Sequence, residues 1–319
     1  MKKNVKIAEK YSRFLKNDKY FFNSTYSKLS NQNKDKITDV TDFSNGGTGI
    51  KRALDKIIND VIIGKELIIN SDRKIFDGNV LLIPSHRYGV KIFNDDEVLT
   101  YYNNKEFLKN DLKKREKIGE IVNTPKIKKI TENYLIEEKI KNIEFEKEEA
   151  LISIMKKYID FFSNRDVKIL EKNIKNKKHK ILFYNFYKKI AVNKKDYKCI
   201  LQHGDLWYGN IIYDGNIYVV DYEEVEEKYF LYDFFKYIYS EAFISSNYKL
   251  LNNFFSGKYD EILNIYFSAL NMNYNLNQKK EYFFTFLNVF IEDRIKTNNL
   301  YTFKKEIDLI KNVIKHIQI

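Results

Sequence analysis

The amino-acid sequence predicts an α+β fold in two parts, a small β-rich unit followed by a larger, mainly helical one. Three observations carry this. Between Val61 and Phe93, the short β-type runs VIIGKELIIN, NVLLIP and YGVKIF are separated by turn residues. From about Glu148 the apolar residues recur at helical spacing, in EEALISIMKKYIDFF, YDFFKYIYSEAFI, YDEILNIYFSAL, KEYFFTFLNVFIEDRI and FKKEIDLIKNVIKHI. Within the helical part, NIIYD and IYVVD flank Gly215-Asn216, a residue pair that marks a tight hairpin.

Taken in order, residues 1–60 form an N-terminal extension, polar and rich in Asn and Lys, whose fold the sequence leaves unclear. Gly46, Gly47 and Gly49 make a loop there, entering a helical pattern of Ile50, Ala53, Leu54, Ile57 and Ile58. Glycines that open a helix can hold a phosphate. NGGTGIKRA, however, lacks the Walker spacing with its Lys-Ser/Thr ending, and reads as a turn with a helix cap. Residues 61–137 are the small unit: the three β runs, a helix over Phe107 to Val122, and a return to β-type residues past Pro125, which blocks further helix. ENYLIEEKI, from Glu132 to Ile140, reads as a strand leaving this unit. Residues 138–319 are the helical unit. Its aromatic run, including Phe283, Phe284, Phe286 and Phe290, reads as helix-packing core rather than a ligand cage. No internal repeat is visible.

At 319 residues the chain can bury a substantial core, and an aromatic content of 16% is far too high for a disordered chain. The formal charge of +12 raises nucleic-acid or anionic-membrane binding, but the lysines are scattered rather than blocked. KNIKNKKHK, from Lys172 to Lys180, is the exception and reads as a solvated loop or helix face. The one cysteine, Cys199, rules out an internal disulfide framework and a cysteine-rich zinc site; in the apolar YKCILQ it reads as a small core residue. No secretory h-region opens the chain and no run approaches the length of a membrane span, so a cytoplasmic protein is expected.

The stretch HGDLWYGNIIYDGNIYVVDYEEV, His203 to Val225, carries the chemistry. It sets Asp205 on a loop, Asn210 five residues on, and Asp221 at the end of a buried strand after a hairpin. Phosphoryl transfer needs such a set. One Asp accepts or orients the proton of an attacking hydroxyl, while an Asn and a second Asp offer hard oxygens to Mg²⁺ at the phosphates. The Asp205-to-Asn210 spacing fits the D-x-x-x-x-N part of the kinase catalytic loop.

This stretch resembles the signature of the aminoglycoside phosphotransferase and choline/ethanolamine kinase superfamily, whose members carry H-G-D-x-x-x-x-N followed by I-D-F/W-E. The match is strong over His203 to Asp233 and weaker upstream. The resemblance implies a two-lobed, protein-kinase-like fold that binds ATP or GTP with Mg²⁺ between its lobes and phosphorylates a small-molecule hydroxyl. It implies Asp205 as the base or hydroxyl-orienting residue, His203 as a brace for the loop, and Asn210 and Asp221 as metal ligands. Asp233 would buttress the loop through backbone hydrogen bonds, or simply cap the next helix. Lys91, in YGVKIF, is the candidate to position the nucleotide's phosphates; otherwise it is an edge-strand lysine facing water. Its helix partner would be Glu116, or Glu120 one turn on. The family's glycine-rich turn is missing, and Ser71 to Lys74 occupies its place. Tyr134 to Ile140, with Glu137 and Glu138, resembles the hinge whose backbone faces the base.

For the acceptor, Trp207 in the loop and Glu223 and Glu224 after Asp221 suit a cationic compound such as choline, ethanolamine or an amino sugar. Glu226 and Glu227 read as solvating an exposed turn. Two other classes compete with the kinase reading. A nucleotide-binding pseudokinase is favoured by the missing phosphate loop and opposed by the complete catalytic set. A basic nucleic-acid binder rests on charge alone, since no recognition-helix, RNP or zinc pattern is visible.

Overall fold

Alternating apolar and polar residues give a sheet one dry face, and GVKIF shows the pattern: Val90 and Ile92 are buried, while Lys91 between them is half-buried. The computed structural model describes residues 10–23, 28–30, 66–69, 74–82, 89–173, 196–245, 247–297, 310–311 and 314. In it an antiparallel sheet of eight strands runs β3-β1-β2-β4-β5-β6-β8-β7. The strands are β1 (Asp18–Asn23), β2 (Lys28–Ser30), β3 (Glu66–Ile69), β4 (Val80–Leu82), β5 (Gly89–Phe93), β6 (Glu97–Tyr102), β7 (Ile127–Ile130) and β8 (Tyr134–Glu138). Val90, Ile92, Leu99 and Ile136 line one face and pack on Phe14, Leu15, Tyr20 and Leu81. On the other face, helix α1 (Lys105–Gly119) seats Leu108 and Leu112 against Tyr102 and Leu135.

Two boundaries drawn from the sequence are corrected. Strands β1 and β2 lie inside the segment set apart as an extension, yet they join the same sheet as β3 and β4. Tyr20 anchors them, its buried hydroxyl donating to the Gly78 carbonyl at 2.8 Å. A strand spelled DKYFFN, with charged and amide residues at its ends, gives little periodicity to read. The glycines Gly46, Gly47 and Gly49, and Ser71, lie outside the described residues. The chain divides into one compact unit of residues 1–116, 123–144 and 212–220 and another of 117–122, 145–211 and 221–319, so the switch at 137/138 is not where the units part. The hairpin of β11 (Ile211–Tyr213) and β12 (Ile217–Val219) belongs mostly to the first unit. There the Ile143 N–H donates to the Tyr213 carbonyl at 2.6 Å and the Val219 N–H to the Asn123 carbonyl at 2.9 Å.

The second unit contains helices α2 (Lys147–Ser163), α3 (Tyr232–Ser245), α4 (Lys249–Ser256), α5 (Asp260–Ala269) and α6 (Lys279–Thr297), with 310–311 and 314 also helical. Its core is aromatic: Phe235 meets Phe254 edge-on at 5.0 Å between ring centroids, and Phe283 and Phe286 lie against it. The sequence offered no sheet here beyond the hairpin. The structure adds a three-stranded one, β9 (Leu170–Asn173), β10 (Asp196–Gln202) and β13 (Glu226–Tyr229), in the order β13-β10-β9. Strand β13 is spelled EEKY, so its register with β10 decides its state, not its own propensity. Glu226 and Glu227 therefore sit on a strand and not in a turn. Of Lys172 to Lys180, residues 172 and 173 end β9 and the rest lie outside the described residues. Among the described residues, no helix is long and apolar enough to cross a membrane.

Candidate active site

Strand β10 delivers Gln202 to a turn that only glycine can make. Gly204 has φ +83°, and a Cβ there would fall 2.2 Å from the Glu224 carbonyl oxygen and 2.6 Å from Lys228 Cε. The buried carboxylate of Asp233, near the start of α3, then grips the loop from behind. Its Oδ1 accepts the Gly204 N–H at 2.8 Å, and its Oδ2 accepts the His203 N–H at 2.7 Å and the Tyr158 hydroxyl at 2.6 Å. The Asp233 N–H donates in turn to Gln202 Oε1 at 2.9 Å. The Asp233 side chain is thus spent on the loop rather than on capping α3. Burial, then the charge of Asp233, pushes the Tyr158 hydroxyl well above its usual range, so it remains a donor.

Held this way, the loop presents Asp205. Its Oδ1 lies 2.7 Å from Nζ of Lys236 on α3. Asn210, in the single turn Tyr208–Asn210, donates from Nδ2 to the Asp205 carbonyl at 2.9 Å and to Asp205 Oδ2 at 3.3 Å. Burial by itself would raise the Asp205 carboxyl, but Lys236, assisted by His203 and Arg294, holds it below the usual carboxylate range. Asp205 is therefore ionised at neutral pH, and it suits orienting a hydroxyl better than strong base catalysis. His203 is buried with its ring edge-on to Tyr222 at 6.3 Å, consistent with a supporting place rather than a reacting one.

Asp221 follows β12 with φ 70°, in the left-handed region that costs a residue with a side chain about 1 kcal/mol or more unless local polar bonds help. Among the described residues its carboxylate has no hydrogen bond or ion pair. The donor set fits Mg²⁺: with Nδ2 committed to Asp205, Asn210 offers Oδ1, and Asp221 offers carboxylate oxygens. Among the described residues no three His, Cys, Asp or Glu side chains gather into a metal site.

The expected substrate residues fare differently. Trp207 is half-buried beside Asp205 in sequence, on extended backbone at φ −154°. Glu223 and Glu224 are exposed. Glu224 also lies 3.5 Å from Nζ of the buried Lys228, which meets Glu226 at 2.9 Å and Asp293 at 3.1 Å. Much of the acidic character after Asp221 is thereby neutralised by one ammonium, whose own pKa the surrounding negative charges raise against burial. Glu226 is accordingly an ion-pair partner as well as a solvated group.

In the first unit Lys91 projects from β5, opposite Thr100 of β6, on the face that carries α1. The helix partner expected for it is corrected: Glu116 is exposed and makes no ion pair among the described residues, and Glu120 pairs with Arg165. The carboxylate whose charge Lys91 modulates is Glu137 of β8. Burial raises the Glu137 carboxyl, while Arg115 of α1, bonded to it and to the Pro125 carbonyl, and then Lys91 draw it down. Asp111, one turn before Arg115, accepts the Tyr102 hydroxyl at 2.7 Å. Glu138 accepts the Lys126 N–H at 2.7 Å with its side chain, tying β8 to the chain before β7. Sequence reasoning passed over Asp111, Arg115, Tyr158 and Lys236. The i, i+4 spacing of the first two, and a lone lysine inside FFKYIY, were the available signals.

No family model matches the chain, and no curated protein matches it. Solved structures do. It is similar to a wild-type aminoglycoside 2′-phosphotransferase-IIIa bound to GDP, at 12% identity over 73% of this chain and 91% of that one, with a TM-score of 0.43. An amicoumacin kinase in complex with AMP-PNP and Ca²⁺ aligns at 14% identity over 71% of this chain and 86% of its own, with a TM-score of 0.41. A choline/ethanolamine kinase family protein from Mesorhizobium loti aligns at 9% identity over 73% and 87%, also with a TM-score of 0.41.

Proposed function

We propose that the chain is a small-molecule kinase that transfers the γ-phosphate of ATP or GTP to a substrate hydroxyl. The observation that carries this is the loop His203–Asn210, in which Asp233 fixes the backbone, Asn210 fixes Asp205, and Asp205 is ionised. A carboxylate so held can accept a hydrogen bond from an alcohol and aim its oxygen. Asn210 and Asp221 would hold Mg²⁺, which when bound neutralises charge on the phosphates. Lys91, on the α1 face of the sheet where its charge lowers the Glu137 carboxyl, is the nucleotide residue we assign in the first unit. The acceptor is a small alcohol, with choline, ethanolamine and amino sugars the first class to test because Trp207 lies in the loop and Glu223 and Glu224 follow Asp221 in sequence.

The test is nucleotide consumption with Mg²⁺, run with ATP and GTP against choline, ethanolamine, amino sugars, aminoglycosides and neutral sugars, with Asp205→Ala as the blank. Consumption that requires an acceptor and vanishes in the variant supports the reading. Nucleotide binding without transfer to any acceptor would favour the pseudokinase alternative. Failure to bind either nucleotide would overturn both.

A further inference from the structure

Asp233, Tyr237 and Glu241 follow one another four positions apart on α3, a spacing that puts them on one stripe of the helix, and all three are buried. Asp233 binds the loop at His203 and Gly204. The other two bind Lys147, the residue that opens α2. The Tyr237 hydroxyl donates to the Lys147 carbonyl at 2.8 Å, and Lys147 Nζ lies 2.6 Å from Glu241 Oε2. A lysine in the first turn of a helix works against the helix dipole, so its charge needs a use elsewhere. Glu241 supplies one, with a side chain only 5% exposed. The loop supplies the other: Lys147 Nζ stands over the ring of Tyr208, 5.1 Å from its centroid. The Tyr208 hydroxyl donates to the Phe145 carbonyl at 3.0 Å, and the two rings lie 5.8 Å apart. Tyr208 begins the single turn that ends at Asn210. The Asn210 N–H closes that turn on the Trp207 carbonyl at 2.9 Å, and the Ile211 N–H on the Tyr208 carbonyl. Asn210 ties the turn to Asp205 inside the loop, while Tyr208 ties it to the start of α2 and, through Lys147, to α3.

We propose that Lys147 and Glu241 are positioning residues for the metal-binding end of the loop: their ion pair fixes the Tyr208 ring, and the ring fixes the turn that aims Asn210. The inference rests on the kinase reading for the metal at Asn210, though not for the clamp on the turn. One stripe of α3 then supports the loop at both ends, with Asp233 behind His203 and Gly204 and Glu241 behind Tyr208 and Asn210. Groups that orient a metal ligand without touching the metal change its affinity by about ten- to a hundredfold.

Amide hydrogen exchange resolved to single residues, on the full chain without nucleotide, tests the clamp. The main variant combines Lys147→Met with Glu241→Gln, which removes both charges together and leaves no buried carboxylate unpaired. In it the Asn210 and Ile211 amides exchange about tenfold faster than in the wild type, while the His203 and Gly204 amides, held by Asp233, keep their rates. Tyr208→Leu, which leaves the ion pair intact, gives the same pattern, and adding it to the double variant has no further effect. Lys147→Arg keeps a cation for both the carboxylate and the ring and stays near the wild type. Unchanged rates at Asn210 and Ile211, or an equal rise at His203 and Gly204, overturn the proposal. A second arm reads the metal, with ADP binding measured by calorimetry in Mg²⁺ and in EDTA. The affinity gained on adding Mg²⁺ falls about tenfold in the double variant, while the affinity in EDTA holds. An equal loss in both, or no loss in Mg²⁺, overturns the part of the proposal that concerns the metal. A wild type that binds no ADP, with the exchange pattern intact, removes the kinase reading and leaves the clamp on the turn standing.

Discussion

Asp233→Asn isolates the support behind the His203–Asn210 loop. The wild-type carboxylate accepts three buried donors: the His203 and Gly204 N–H groups and the Tyr158 hydroxyl, at 2.7, 2.8 and 2.6 Å. Hydrogen bonds to a charged acceptor contribute roughly 1.5–3 kcal/mol each, and a buried donor left without a partner costs about 1–3 kcal/mol. An asparagine keeps one oxygen and turns an NH₂ toward at least one of those donors. One bond is lost outright and the remainder fall to neutral strength, which amounts to about 3–5 kcal/mol, a large share of the roughly 5–15 kcal/mol of a typical domain. Equilibrium denaturant unfolding reads this directly as a fall in midpoint at unchanged slope. Tyr158→Phe, which removes one donor and leaves two bonds intact, should cost only about 1–2 kcal/mol. A loss under about 1 kcal/mol for Asp233→Asn would refute the reasoning, because the loop would then be held by something other than this carboxylate.

Three further predictions concern neighbouring positions. Gly204→Ala should destabilise the protein by more than about 2 kcal/mol, since its Cβ meets the Glu224 carbonyl at 2.2 Å on a backbone of φ +83°; thermal unfolding checks it, and a near-neutral result would mean the turn is not as described. Asp221→Gly should keep stability within about 1 kcal/mol of the wild type, because glycine accepts φ 70° freely, while losing Mg²⁺-dependent nucleotide binding in calorimetry. Cys199 is buried on β10, and burial pushes its thiol from 9.0 up to about 11. A raised folded pKa means the folded state holds its proton longer than the unfolded one. Its contribution to stability is therefore complete below pH 9 and disappears as pH rises through about 11, so the stability gap between wild type and Cys199→Ala should narrow over that window in denaturant titrations.

Much of this molecule is legible in the order of its residues, and the reasons are local. Helices α1, α2, α3, α5 and α6 announce themselves because apolar residues recur at helical spacing through runs of ten residues or more, and that pattern is a property of neighbouring residues. The spacing of Asp205, Asn210 and Asp221 is equally local, since a loop and a hairpin hold all three within one short stretch. Helix α4 spans only eight residues, too few for its apolar stripe to repeat, and strands β1, β2, β9 and β13 gave no pattern because pairing partners far along the chain decide their state.

What tertiary structure decided is which charges meet. The family resemblance offered Glu116 to Lys91, and adjacency in sequence offered an acidic cluster to a cationic substrate. The fold instead turns Glu116 outward, brings Glu137 under the influence of Lys91, matches Glu224 and Glu226 to Lys228, and sets Lys236 against Asp205 from 31 positions along the chain. Burial is the reason. Once a charge leaves water it must find an opposite charge, and which one it finds depends on the packing of strands and helices that no local pattern encodes.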